Sequence, residues 1–192
     1  MKRFIFAVLI GLAWLSVAGT CAGQEPKLAL VSIPKWRAIL ARRVQEFGHR
    51  NWIVIADAAY PAQSRPGIET VLTKTDQLQV VKAVLDELGR AKHVRPVVYL
   101  DAELPHVGEQ DAPGVGEYRR ALKALLADRE SRALPHERII DRLDRAGEKF
   151  KVLILKTDLT LPYTSVFLEL DCGYWSPEAE QQLRKTIARE KK

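Results

Sequence analysis

The sequence predicts an α/β domain in which a central sheet is flanked by helices, and three observations lead there. Short apolar runs of strand composition alternate along the chain with longer stretches of helical periodicity. No internal repeat or low-complexity linker interrupts that alternation. A chain of 192 residues has room for one well-buried domain and little more, and a hydrophobic fraction of 47% with 28% charged residues excludes disordered and fibrous classes.

Taken in order, residues 34–47 place Trp36, Ile39, Leu40, Val44 and Phe47 at helical spacing, with Pro34 suited to a first turn and Gly48 to a stop. Trp52–Ala56 is an unbroken apolar run, as expected for a strand buried on both faces. Arg65-Pro66-Gly67 makes a turn, and Ile68–Leu72 alternates as a strand. Thr75 or Asp76 then caps a helix whose Leu78, Val81, Val84, Leu85 and Leu88 share a face, ending near Gly89. Residues 94–100 read as a strand, with Pro96 placing it at an edge or moving its start to Val97. Residues 104–116, with two Pro and three Gly, form a loop long enough to reach over a site. A helix over 117–130 buries Tyr118, Ala121, Leu122 and Leu125, and another starts near Pro135. Strands follow over 150–155 and 165–170, separated by a Pro162-Tyr163 turn, and a capped amphipathic helix runs from Ser176.

The first residues stand apart. Met1-Lys2-Arg3, an apolar run to Val17 and small residues through Gly23 have the form of a secretory signal peptide over 1–23. Cleavage near Ala22 or Gly23 leaves a domain over 24–192, with its core at about 34–175 and a helical tail over 176–192. The expected location is periplasmic or secreted; a lipoprotein modified at Cys21 is the runner-up, since Thr20 and Ala18-Gly19 make a poor lipidation signal. Losing Lys2 and Arg3 leaves 30 − 2 = 28 basic residues against 24 acidic, a net +4. No like-charge block tracks a groove and no aromatics interleave with basic residues, which argues against nucleic acid. The mature chain holds no stable membrane span. Cys172 alone is certain to remain, so no internal disulfide is expected, and the scattered His49, His93, His106 and His136 predict no metal site.

The stretch Gly48-His49-Arg50-Asn51 through Asp57-Ala58-Ala59-Tyr60-Pro61 brackets the first strand with two polar loops. Full extension puts His49 and Asp57 roughly 26 Å apart. They serve one site only if Gly48 lets the loop fold back or a second subunit supplies one of them. The plainer reading makes Gly48 a helix stop, His49 a solvated turn residue and Asp57 a cap.

Gly48-His49, then Ile53-Val54-Ile55-Ala56-Asp57, then Tyr60-Pro61-Ala62-Gln63-Ser64, resembles the signature of the ribose pyranase and fucose mutarotase family. Leu78-Gln79-Val80-Val81, His136-Glu137 and Pro162-Tyr163 follow in the family's order, so the resemblance spans residues 34–174. It implies a ribose pyranase-like fold, interconversion of the ring forms of a free monosaccharide without cofactor or metal, and a ring-like homo-oligomer with sites between subunits. It places the catalytic His on His49 and sugar-binding positions on Asp57, His136 and Tyr163. Ser165 stands where the family has Asn, and Asp158-Leu159 where it has Gly-Glu. A Ser hydroxyl has one proton to give, whereas an Asn amide donates and accepts, so the Ser165 contact is altered.

Opening a cyclic hemiacetal requires a proton to leave the anomeric hydroxyl and another to reach the ring oxygen. Histidine suits either task. The expected roles are His49 as general acid or base, Asp57 accepting sugar hydroxyls, His136 as second polar partner, and Tyr163 with Ser165 lining the pocket. Without the resemblance, His136 reads as a helix-start residue and Tyr163 as a packed turn aromatic. His93 and His106 are assigned to structure and solvent, Asp101 and Glu103 to no facing acidic pair, and Trp175 to an interface or core. A sugar-binding protein of the same fold without turnover is the alternative function; a structural oligomer is the third.

Overall fold

The computed structural model describes residues 34–127 and 129–190; the leader, its cleavage point and Cys21 lie outside the described residues. Six strands, β1 (Trp52–Ala56), β2 (Ile68–Leu72), β3 (Val94–Asp101), β4 (Ser131–Leu134), β5 (Val152–Lys156) and β6 (Val166–Cys172), form one sheet in the order β2-β5-β1-β6-β3-β4. Pairing is parallel throughout except at β6, which runs against both β1 and β3. The carboxyl ends of β1, β2, β3, β4 and β5 therefore lie at one end of the sheet, together with the start of β6.

Helices α1 (Lys35–Glu46), α2 (Gln77–Arg90) and α3 (Val115–Leu125) cover one face, α4 (His136–Lys149) the other, and α5 (Pro177–Glu190) closes the described chain. Alternate strand residues divide between two cores, as the two-residue period of a strand requires. Ile53, Ile55, Leu153, Leu155 and Leu168 pack with Trp36, Leu40, Val84 and Leu122, whereas Trp52, Val54, Ile154 and Phe167 pack with Ile139 and Leu143 of α4. All five β1 residues are buried, which explains the unbroken apolar run.

Local chemistry sets most boundaries. The Asp76 carboxylate accepts from Gln79 N–H and caps α2, while Thr75 Oγ1 accepts from Trp36 Nε1. Gly67 is needed for close approach: a Cβ there would stand 2.3 Å from the carbonyl oxygens of Gly147 and Phe150 at the end of α4.

Several expectations are corrected. β3 begins at Val94 and lies inside the sheet, yet Pro96 is tolerated because β4 joins only from Val98 onward, leaving β3 locally an edge there. The strand β4 has no counterpart in the sequence reading; its residues are mostly exposed, so no apolar pattern marks it. The predicted helix over 117–130 occupies Val115–Leu125, and the last two strands begin one or two residues later than expected. The loop over 104–116 is tied down, with Arg119 donating to the Leu104, Pro105 and Val107 carbonyls and Glu109 accepting from Gly114 and Gly116 N–H. Chain reversal before β1 uses positive φ at Arg50 (73°) rather than at Gly48. His93, assigned to structure, meets the terminal carbonyls of α1: its Nε2 lies 3.0 Å from Val44 O and 3.1 Å from Phe47 O. Trp175 is partly exposed, and its Nε1 donates to Glu180.

Candidate functional site

The carboxyl end of the parallel strands gathers Asp57, His136, Tyr163 and Ser165 within one chain. Asp57 follows β1; its Oδ1 accepts from Ala59 N–H at 2.9 Å and its Oδ2 from the Ser165 hydroxyl at 2.9 Å, while its own N–H donates to Ser165 Oγ at 3.3 Å. Ser165, 1% exposed at the start of β6, thus spends its single proton on Asp57. It shapes the carboxylate rather than facing open space.

His136 opens α4 directly after β4. Pro135 at the N-cap supplies no side-chain cap, and both oxygens of Glu103 accept His136 N–H at 3.1 Å instead. A negative carboxylate at a helix N-terminus is favourable, so Glu103 holds this turn where the sequence reading left it idle. The His136 ring meets Tyr163 edge to face, with centroids 5.7 Å apart. Tyr163 is 40% exposed and adopts φ of 57°, an unusual conformation for an aromatic residue and one that clusters at functional sites.

Asp101, the last residue of β3, is a member of this cluster that the sequence reading missed. Its side chain is buried, its Oδ1 lies 3.1 Å from His136 Nδ1, and among the described residues its Oδ2 is buried without a partner. Burial pushes its carboxyl up to about 6, opposed by the charge and hydrogen bond of His136 and reinforced by the charges of Glu103 and Asp57. The usable signal was its place at a strand end, where ligands of α/β folds sit. Burial, then the charges of Asp101 and Asp57, also raises the pKa of the Tyr60 phenol, which lies beneath the cluster.

A buried amide fixes the surrounding loops. Gln77, 1% exposed, donates through Nε2 to Tyr118 OH at 2.8 Å and Thr164 O at 2.6 Å, and its Oε1 accepts from Thr157 Oγ1 at 2.9 Å. Thr157 Oγ1 also lies 3.0 Å from Ala56 O. The network ties the ends of β1 and β5 to the turn carrying Tyr163 and Ser165, and positions both without touching the open side.

His49 is elsewhere. It sits in an exposed turn before β1, at the opposite end of the sheet, beside the end of β6. Surface clefts of about 490 Å³ and about 400 Å³ border it, and Arg50, Arg95, Arg132, Arg142 and Asp171 contribute to their walls. Burial raises the Asp171 pKa, but the Arg95 and Cys172 hydrogen bonds and the Arg95 and His49 charges outweigh it and hold the group low. One chain therefore brings together Asp57, His136, Tyr163 and Ser165 but not His49. Among the described residues no three His, Cys, Asp or Glu side chains converge as metal ligands, and no helix is long and apolar enough to cross a membrane.

The RbsD / FucU transport protein family matches residues 37–173, and the chain belongs to it. No curated protein matches the chain. Among solved structures it is similar to Bacillus subtilis RbsD complexed with D-ribose, at 23% identity and TM-score 0.49 over 70% of this chain and 92% of that one. It is also similar to the fucose mutarotase of Streptococcus pneumoniae in complex with L-fucose, at 20% identity and TM-score 0.49 over 74% of this chain and 98% of that one. FucU from Bifidobacterium longum is similar at 17% identity and TM-score 0.49, over 70% of this chain and 94% of that one.

Proposed function

We propose that this member of the RbsD / FucU transport protein family is a monosaccharide mutarotase or pyranase that interconverts the ring forms of a free sugar such as ribose or fucose. The observation that carries the reading is the gathering of Asp57, Ser165, His136 and Tyr163 at the carboxyl end of the parallel strands. A carboxylate prepared to accept sugar hydroxyls, an imidazole and an aromatic wall are the groups that hemiacetal opening uses.

His49 completes the site from a second copy. The two strand ends differ in charge: Asp57, Asp101 and Glu103 gather at one, whereas near the other Arg50, Arg95, Arg132 and Arg142 outnumber Asp171 and Glu169, with which Arg95 and Arg142 pair. Apposing unlike ends of two copies is a head-to-tail contact, and such contacts close into rings when the rotation permits. In that arrangement His49 acts as the general acid or base on a sugar whose hydroxyls Asp57 holds. The leader over 1–23 assigns this activity to an exported protein, and mass spectrometry of the exported chain should find an unlipidated N-terminus near Gln24.

Saturation-transfer NMR with free D-ribose and L-fucose tests the reading. Exchange between ring forms faster than in buffer supports it; neither binding nor exchange with these sugars overturns it. Binding without exchange favours a non-catalytic sugar-binding protein, the second reading, which the commitment of the Ser165 hydroxyl to Asp57 supports.

A further inference from the structure

We propose that His136 is a second catalytic residue and that the buried Asp101 is its positioning residue, the two forming a proton-transfer dyad within each chain. The inference rests on the ring-isomerase reading. Its geometry is unlike that of a simple binding histidine. His136 Nδ1 lies 3.1 Å from Asp101 Oδ1, and its main-chain N–H is held by both oxygens of Glu103, so ring and backbone are fixed together. The side chain of His136 is 31% exposed whereas that of Asp101 is 0% exposed. Among the described residues Nε2 has no hydrogen-bond partner. An ionised Asp101 accepts the Nδ1 proton, which leaves the Nε2 lone pair available on a ring that meets Tyr163 edge to face.

Burying a carboxylate is costly unless it is paired and fully bonded, and Asp101 Oδ2 is buried without a partner among the described residues. A side chain needed only for packing would be better apolar. The groups facing the dyad are Glu103 from the loop before α3, Asp57 from the end of β1, Tyr60 from the loop after it and Tyr163 from the turn before β6. None is cationic. An imidazolium formed at His136 is therefore stabilised by the carboxylates around it, as a proton acceptor in the transition state requires.

The step balances without any redox partner. Nε2 takes the proton of the anomeric hydroxyl; the bond from the anomeric carbon to the ring oxygen breaks, its electron pair passes to that oxygen, and the oxygen takes a proton from the acid facing it, His49 of a neighbouring copy. Closing on the opposite face of the carbonyl reverses each transfer.

The test compares wild type, His136→Gln, Asp101→Asn and the double variant with D-ribose and L-fucose as probes, and reads the His136 tautomer by ¹⁵N NMR at neutral pH. Wild type should carry its imidazole proton on Nδ1. Each single variant should lower kcat for ring exchange by roughly a hundredfold or more with KM little changed, the scale for losing a general acid or base. The double variant should be no slower than His136→Gln, because Asp101 acts through His136. An Nε2–H tautomer in wild type, or variants that exchange within about twofold of it, overturns the dyad alone. A wild type that does not exchange either sugar overturns the ring-isomerase reading and the dyad with it. If Asp101→Asn fails to fold, the His136→Gln variant, at a partly exposed position, and the wild-type tautomer decide.

Discussion

The two ends of β1 are built from opposite materials. At its carboxyl end polar groups place one another: Ser165 sets Asp57, Asp101 and Glu103 set His136, and Gln77 sets the loops around them. At its amino end His49 stands in an exposed turn among arginines, with Arg50 in a left-handed conformation and its guanidinium over the Phe150 ring. The first end is a cluster of mutually oriented polar groups, whose geometry is paid for by burial; the second is an open, arginine-rich surface. A catalytic group gains most when its partners are already oriented, so under the proposed function the Asp57 end is the better prepared of the two.

The largest expected effect tests whether the two ends work together. Replacing His49 with Ala should slow ring exchange by roughly a hundredfold or more. Asp57→Asn should chiefly weaken sugar binding. If one site spans two copies, mixing these two inactive or weakened proteins under exchange of subunits should restore part of the wild-type rate, because some sites then hold both native residues. Absence of any recovery, with mixed oligomers demonstrated, would place the two residues in separate roles.

Next in size is the buried amide. Gln77→Ala removes three buried hydrogen bonds, although Thr157 keeps Ala56 O and Tyr118 keeps Thr164 O, and should cost about 2–3 kcal/mol in denaturant unfolding at about 1 kcal/mol per bond. The matching change at the other end, His93→Ala, removes the contact to the last carbonyls of α1 and should cost about 1 kcal/mol with ring exchange unaltered. Equal losses from the two variants would erase the contrast in construction.

Ser165→Asn sharpens the comparison further. Ser165 is buried with its hydroxyl 2.9 Å from Asp57 Oδ2, so a larger amide has to push the carboxylate or the strand aside. Affinity and rate should both fall and stability drop by about 1–3 kcal/mol, the usual range for overpacking. A rise in affinity measured by NMR titration would mean that the site has room for the amide.

A further effect is a pH dependence. Asp101 is pushed up to about 6 in the folded chain, chiefly by burial, from about 3.9 in an unfolded one. Between those values the folded state binds more protons than the unfolded state, so raising the pH removes stability over that window. Other carboxylates shift the opposite way, so the readout is a difference: the stability of wild type relative to Asp101→Asn should fall between about pH 4 and pH 6 and stay level above it. A flat difference across the window would mean that Asp101 is not penalised by burial.

Most of the strands and helices could be read from residue patterns alone because the burial that forms them is local and periodic. Trp52–Ala56 and Ile68–Leu72 coincide with their strands, and Asp76 caps α2 through its own carboxylate. The family, too, was legible, since Gly48-His49, Asp57, His136 and Tyr163 keep their order along residues 37–173. β4 was not, because an exposed strand of four residues has no apolar face to reveal it and exists only by pairing with β3. Asp101 was passed over for a related reason. Nothing in Leu100-Asp101-Ala102 tells that the carboxylate is buried; that follows from β4 delivering His136 onto it from thirty-five positions away. The sequence by itself determined which side chains are present and which segments bury a face. Only the tertiary structure decided that His136 and Asp101 meet, that the Ser165 proton belongs to Asp57, and that His49 lies at the far end of the sheet, because strand order and direction are set by contacts between segments remote in the chain.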